Sequence, residues 1–324
     1  MGRLIYVPQF PADLRYQSWW LTEFTKEFEK EYDEVEILGL NWLIQNMDYV
    51  SSEYDSAMFS PINKAIRFET AQMNDYMSLE IRDNDTLFLA DISFPGLFCN
   101  VLYHKTCPKM YAFCHATSLN KYDYFAPMRK HKKKIELNHA QLFDGIFFGS
   151  YYSINKTKWS EKGIKCHRVT LPAPPEDLIK PVHISDYRDI DIVSVCRPSI
   201  QKVNKKLEKK VEQALGIKIH REEVNTWEQY NILLARSKVL LISTKEDTFN
   251  YTIMDAIRCG CIPLVPNTLC FPEIVPLYWR YSHAGNLILK LQHIFNDKTF
   301  ILPEMICQDE VDNFFSNMIG IMKG

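Results

Sequence analysis

Residues 243–275 read STKEDTFNYTIMDAIRCGCIPLVPNTLCFPEIV. The short apolar run VLLIS at 239–243 leads into them and predicts a buried strand. A polar turn follows, Tyr251–Arg258 predicts a helix, and Ile262–Val265 predicts the next strand. Asp247 lies before the helix; Asp255 lies on it, eight residues further along and opposite the Ile253/Ile257 face. The backbone N–H groups of Asn250, Tyr251 and Thr252 open the helix without intrahelical partners. Together with the helix dipole they form a place for an anion, and a diphosphate fits it. A carboxylate on each side can accept hydrogen bonds from sugar hydroxyls. The expected layout holds a nucleotide sugar, with the hexose at one acid, the phosphates at the helix start and the ribose at the other acid.

Working outward, short apolar runs alternate with helical patterns. Leu4–Val7, Glu34–Leu38, Thr86–Ala90, Lys109–Cys114 and Gly145–Gly149 predict strands in the first half. Arg15–Tyr32 and Asn63–Ile81 predict helices, and residues 48–62 a loop. The sequence LPAPP at 171–175 breaks the rhythm, because three prolines in four positions suit neither helix nor central strand. The pattern then restarts with strands at Ile190–Val195 and Val239–Ser243, a helix at Ile200–Leu215, and a last helix at Met305–Lys323. Alternating strands and helices predict parallel sheets covered by helices. The expected organisation is an α/β chain of two doubly wound, Rossmann-like domains facing a central cleft. Residues 1–172 form the acceptor side, 176–303 bind the nucleotide sugar, and 304–324 form a helix packing back toward the first domain.

Composition narrows the function classes. Among 324 residues, 46% are hydrophobic and 13% aromatic, which excludes a largely disordered chain. No two of the 11 glycines stand two apart, so neither a G-x-G-x-x-G fingerprint nor a Walker P-loop is present. Net charge is −2, so contact with nucleic acid must come from a local patch. The nine cysteines include no C-x-x-C, which excludes zinc-finger and thioredoxin motifs and suits a reducing compartment. No run approaches the ~20 apolar residues of a membrane span. A cytoplasmic protein without a transmembrane segment is expected.

The stretch from Asp247 to Pro263, DTFNYTIMDAIRCGCIP, resembles the Glu-x7-Glu motif of retaining glycosyltransferases of the two-Rossmann GT-B type, E-x-F-G-x-x-x-x-E-A-x-x-x-G-x-P. Phe249, Ala256 and Gly260 fall in register, and Pro263 stands one residue beyond the motif's Pro. Both acids are Asp here, Asn250 replaces a Gly, and Glu246 serves as the first acid if the loop shifts by one. Upstream, Arg197 and Lys202 keep the five-residue spacing of the family's G-R-x-x-x-x-K motif. Downstream, Phe271–Val275 resembles its G-x-x-E-x-V turn. The resemblance covers about residues 190–290. It implies donor contacts at Arg197, Lys202, Glu246, Asp247, Phe249, Asn250, Tyr251, Thr252 and Asp255. Arg197 and Lys202 would neutralise the diphosphate leaving group, so no metal or other cofactor is required. The D-x-D spelling at Asp189-Ile190-Asp191 precedes a strand and reads as a cap on the linker.

In the first half, His115 directly follows a strand and should point past the sheet's carboxyl end. The resemblance implies that it contacts the donor sugar near the reacting carbon. Asp91 follows the strand TLFLA and is placed to act as a general base on an acceptor hydroxyl, as an inverting enzyme needs. Arg15, Tyr16 and Trp19 in the first loop put aromatics beside a cation, a pattern that stacks on bases or sugars. RKHKKK at 129–134, with Arg129, Lys132, Lys133 and Lys134, is a dense basic run that can grip a phosphate backbone or an anionic membrane.

The expected activity is transfer of a hexose, glucose from UDP-glucose, to an acceptor hydroxyl. The first half looks like viral enzymes that glycosylate hydroxymethylated pyrimidines. A 5-hydroxymethylpyrimidine in double-stranded viral DNA is therefore the first acceptor expected, modified in the host cytoplasm. A lipid-linked or cell-surface glycan is the alternative. The two Asp substitutions and Asn250 keep open a third reading, a nucleotide-sugar binder without catalysis.

Overall fold

The structure, a computed structural model, describes residues 2–12, 15–47, 62–92, 109–122, 129–179, 188–195, 202–296 and 304–324. The chain divides into two compact units, Met1–Thr170 with Asn313–Gly324, and Leu171–Asp312.

The first unit is built on β1 (Arg3–Val7), β2 (Glu34–Ile37), β3 (Thr86–Leu89), β4 (Lys109–Phe113), β5 (Gly145–Phe148) and β6 (Cys166–Arg168). They form one parallel sheet in the order β2-β1-β3-β4-β5-β6. Strands β1, β3 and β5 are buried along their whole length, as unbroken apolar runs require. Alternate residues feed two layers. Tyr6 and Phe88 face helix α1 (Tyr16–Glu31), whose Phe24 and Phe28 rings pack on both of them. Ile5, Val7, Leu87 and Leu89 face the other way, into a cluster with Tyr76, Phe148 and Trp159. Further helices of this unit are α2 (Leu40–Gln45), α3 (Ile62–Ser78), α4 (Arg129–Ala140) and α5 (Tyr151–Thr157).

The second unit carries β7 (Ile190–Val193), β8 (Ser237–Leu241), β9 (Ile262–Pro266) and β10 (Arg280–Tyr281), parallel in the order β10-β9-β8-β7. His220 bridges β7 from its open side. Helices α6 (Lys205–Leu215), α7 (Trp227–Ala235), α8 (Tyr251–Arg258) and α9 (Ala284–Asn296) connect and cover the strands. Helix α8 keeps the bounds read from sequence because both its signals are local. Asn250 caps it, and Gly260 stops it in the left-handed region at φ 71, where an added Cβ would run into Arg188 Nη2. Pro263 sits inside β9 without loss. Leu264 faces β8, its carbonyl accepting from Ile242 N–H, so Pro263 faces β10, which begins only opposite Val265.

Several readings need correction. The last helix is two, α10 (Gln308–Asp312) and α11 (Phe314–Lys323), broken at Asn313, where the chain passes from the second unit to the first. Phe314 and Phe315 then pack on Phe24, and Lys323 pairs with Glu31. The basic run at 129–134 is the start of helix α4. Helix α6 begins at Lys205 because Asn204 caps it, its side chain accepting from Leu207 N–H. Asp189 and Asp191 pair with Arg236 and Lys238 of the neighbouring segment, and the linker residues 180–187 that such a cap would serve lie outside the described residues. The 48–62 loop lies almost entirely outside the described residues. Among the described residues no helix is long and apolar enough to cross a membrane.

Candidate functional site

In open parallel sheets, ligands lie beyond the strands' carboxyl ends, where the strand order reverses. In the second unit that point is between β7 and β8, since His220 and β7 lie on one side and β8, β9 and β10 on the other. Lys202 comes from the segment after β7, and Asp247 from the turn after β8. Their Nζ and Oδ2 stand 2.9 Å apart. Asn250 Nδ2 donates to the same carboxylate oxygen at 2.8 Å, and Thr248 N–H donates to Oδ1 at 3.2 Å. Asp247 is 4% exposed, so this pair is largely shielded from water and retains more attraction than a surface pair. Ser194, at the end of β7, buries an Oγ with no hydrogen bond among the described residues. Arg197 lies outside the described residues.

The helix start differs from expectation in one respect. Thr252 N–H is taken by Asn250 Oδ1 at 3.1 Å, so the cap has already used one donor assigned to the diphosphate. Glu246 is buried in a turn closed by Thr244, whose hydroxyl bridges its backbone N–H and carbonyl. Phe249 is buried with its ring against Tyr251. Asp255 is also buried. Its Oδ2 accepts from Tyr230 OH of α7 at 2.8 Å, and its Oδ1 makes no hydrogen bond among the described residues. Burial pushes its carboxyl up to about 7, against the opposing effects of Tyr230 and Arg258. Tyr230 was not legible as a partner, because it stands 25 residues away.

In the first unit the strand order reverses between β1 and β3. There Gln9, just past β1, donates from Nε2 to Asp91 Oδ2 at 2.6 Å. Gln9 Oε1 is buried and has no hydrogen bond among the described residues. The strand-end rule that singles out Asp91 applies equally to Gln9, which the sequence reading passed over. Next in the sheet, His115 stands beyond β4 with Nε2 3.1 Å from Ala90 O. A carbonyl can only accept, so Nε2 carries the proton. The ring packs against Tyr16, Trp20 and Phe113, with centroids at 4.9, 5.0 and 4.7 Å. Burial lowers its pKa to about 3. His115 is therefore a neutral imidazole with Nδ1 as an acceptor. Its ring signals in a proton–carbon NMR titration are expected to stay fixed from pH 8 down to pH 5. A titration step in that window would show that the ring is not held as described.

The acceptor candidates separate. Arg15 is the N-cap residue of α1, its carbonyl accepting from Ser18, and Tyr16 is half-buried against His115. Trp19 is a correction: at 6% exposure it belongs to the core face of α1 and presents no surface for a base. Lys132 is a second correction. Four residues before Glu136 on α4, it turns inward to pair with that carboxylate at 3.6 Å. Glu136 in turn accepts from Ser118 N–H and Oγ, at 2.8 and 2.6 Å. Arg129, Lys133 and Lys134 remain exposed. Among the described residues there is no group of three His, Cys, Asp or Glu side chains fit to hold a metal ion.

No family model matches the chain. It is 26% identical over 152 residues to the tRNA-queuosine alpha-mannosyltransferase of Drosophila melanogaster, a match spanning 47% of this chain and 38% of that protein. Among solved structures it is similar to an alpha,alpha-trehalose-phosphate synthase (UDP-forming) from Burkholderia xenovorans, with TM-score 0.61 and 8% identity over 100% of both chains. A trehalose-6-phosphate protein from E. coli bound with UDP-2-fluoro glucose matches at 0.60, 10% identical over 99% of both chains. Sucrose-phosphate synthase from Thermosynechococcus elongatus matches at 0.56 and 11% identity, over 100% of this chain and 97% of its own. At these identities the likeness carries the fold. With its two parallel α/β units and a likeness running the whole length of the chain, this protein has the GT-B fold of those glycosyltransferases.

Proposed function

We propose that this chain moves a hexosyl group from a nucleoside diphosphate sugar to a hydroxyl of a modified nucleoside within a nucleic acid. The observation that carries the reading is the Lys202–Asp247 pair at the strand-order reversal of the second unit, beside the start of α8. When donor enters, Lys202 passes from the carboxylate to the diphosphate and, with Arg197, offsets the charge that grows as the sugar–phosphate bond breaks. Asp247, still held by Asn250, then accepts from a sugar hydroxyl, with Glu246 the alternative acid. Phe249 and Tyr251 wall the turn, and Thr252 N–H exchanges its cap for a phosphate oxygen. Asp255 and Tyr230 meet the ribose, whose hydroxyl would satisfy the orphaned Oδ1.

In the first unit, His115 Nδ1 accepts from a donor-sugar hydroxyl. Asp91, oriented by Gln9, accepts a hydrogen bond from the acceptor hydroxyl; full proton removal by it belongs to an inverting course, whereas the motif resembled is that of retaining enzymes. Arg15 and Tyr16 serve the acceptor. The exposed cations Arg129, Lys133 and Lys134 on α4 suit a phosphate backbone, whether of RNA or of the double-stranded DNA expected from sequence. The similarity to a tRNA-queuosine mannosyltransferase supports an RNA acceptor first. It also supports mannose, whereas the bound UDP-2-fluoro glucose of a structural neighbour supports UDP-glucose.

The test is incubation with UDP-glucose or GDP-mannose and with tRNA or hydroxymethylated DNA, followed by digestion and weighing of the nucleosides. One nucleoside heavier by a hexosyl group is the expected result. Donor hydrolysis without any heavier nucleoside would overturn the nucleic-acid acceptor and favour a glycan. No donor turnover at all would leave a nucleotide-sugar binder. Because Lys202 supplies the cation at the leaving group, activity is expected to persist in EDTA. Full loss on chelation, restored by Mn²⁺, would sink that expectation.

A further inference from the structure

Helix α6 turns Glu208 and Val211 inward and leaves Lys205, Lys206, Lys209 and Lys210 exposed. None of these four lysines makes an ion pair or hydrogen bond among the described residues. The acids that would ordinarily neutralise them are committed elsewhere. Glu208 accepts from Ser243 Oγ and Arg221, and Glu212 accepts from Ile219 N–H. Lys205 with Lys209, and Lys206 with Lys210, are like charges at i and i+4, an arrangement that destabilises a helix. Lys205 and Lys206 also stand in the first turn, against the helix dipole. A chain whose net charge is −2 thus concentrates unneutralised cations where they cost helix stability.

We propose that the lysine face of α6 binds the phosphate backbone of a nucleic-acid acceptor. The inference rests on the nucleic-acid reading above and assigns that acceptor a contact surface in the second unit. Residues four apart rise about 6 Å along a helix, so paired lysines present a repeated charge to a repeated phosphate. A bilayer suits the face poorly, because an interfacial helix needs apolar residues to insert. Here Val211 is buried and Leu207 half-buried against the unit. The face is also tied to the proposed donor loop. Asn204 N–H, at the start of α6, donates to Ser243 Oγ at 3.0 Å, and that hydroxyl donates to Glu208 at 2.6 Å. Ser243 follows β8 and opens the turn that carries Asp247.

The experiment replaces Lys205, Lys206, Lys209 and Lys210 together with Gln. It measures binding of unfractionated tRNA by fluorescence anisotropy across a KCl series. The variant is expected to bind at least about tenfold more weakly at low salt, with a log–log salt slope shallower by about 3. Its melting temperature should equal or exceed that of the parent, since like charges have been removed. UDP-glucose hydrolysis without acceptor should be unchanged. If the parent binds tRNA and the variant keeps the same slope, the lysine face is not the contact and the function proposed above still stands. If the parent binds neither tRNA nor DNA at any salt, the nucleic-acid reading itself fails. Binding to phosphatidylserine vesicles instead of tRNA would make a bilayer the partner and overturn the inference.

Discussion

Lys202→Met lowers kcat by about two orders of magnitude or more, while donor hydrolysis and sugar transfer fall together. Removing one preorganised charge from a leaving group costs about 3 kcal/mol of barrier. The complication is that Asp247 is 4% exposed and loses its cation in this variant. A buried carboxylate left without its partner costs about 3–5 kcal/mol of stability, so the single variant is expected to melt early. The double variant Lys202→Met/Asp247→Asn separates the two effects. Its side-chain amide still accepts from Asn250, no charge is stranded, and the melting temperature should recover. Turnover should not recover, because the cation is still missing. A double variant with near-parental turnover would remove Lys202 from the reaction and leave the pair a purely structural contact.

Asp255→Asn flattens the dependence of stability on pH. The folded chain holds the Asp255 proton up to about 7, against an ordinary carboxylate value of 3.8. Between those values the folded state binds more protons than the unfolded state. Stability from this group is therefore present in acid and lost as pH rises from about 4 to about 7. The difference in pKa corresponds to ~4 kcal/mol above pH 7. The asparagine variant keeps an oxygen for Tyr230 OH but carries no charge. Its melting temperature should exceed that of the parent at pH 8 and match it near pH 4. Parallel melting curves across that range would show that Asp255 ionises normally in the fold. The same carboxylate gives a check on the ribose contact. A ribose hydroxyl donating to Oδ1 relieves the ionised form, so UDP should raise the parent's melting temperature more at pH 8 than at pH 5. Equal shifts at both pH values would place the ribose elsewhere.

The sequence by itself determined what depends on residues within about one helical turn of each other. Apolar runs such as TLFLA and VLLIS marked strands because a fully buried parallel strand needs no polar alternation. Helix α8 was legible from end to end, because Asn250 caps it and Gly260 halts it within its own backbone. The GT-B fold followed from those strands, those helices and the ordered motifs of residues 190–290. Where local signals were weak or misleading, the reading failed. The charge run at 129–134 hid the helix that Lys132 and Glu136 stabilise, and Asn313 divided what looked like one continuous C-terminal helix. Tertiary structure alone decided which partner each polar side chain found. Gln9 meets Asp91 across 82 residues, Tyr230 holds Asp255 across 25, and Lys202 reaches Asp247 from the neighbouring strand's loop. It also buried Trp19 and turned Lys132 inward. Propensity and capping act through neighbouring peptide groups, so a sequence displays them. Hydrogen-bond partners, burial and the pKa shifts that follow depend on chain brought in from far away, and only the folded packing fixes them.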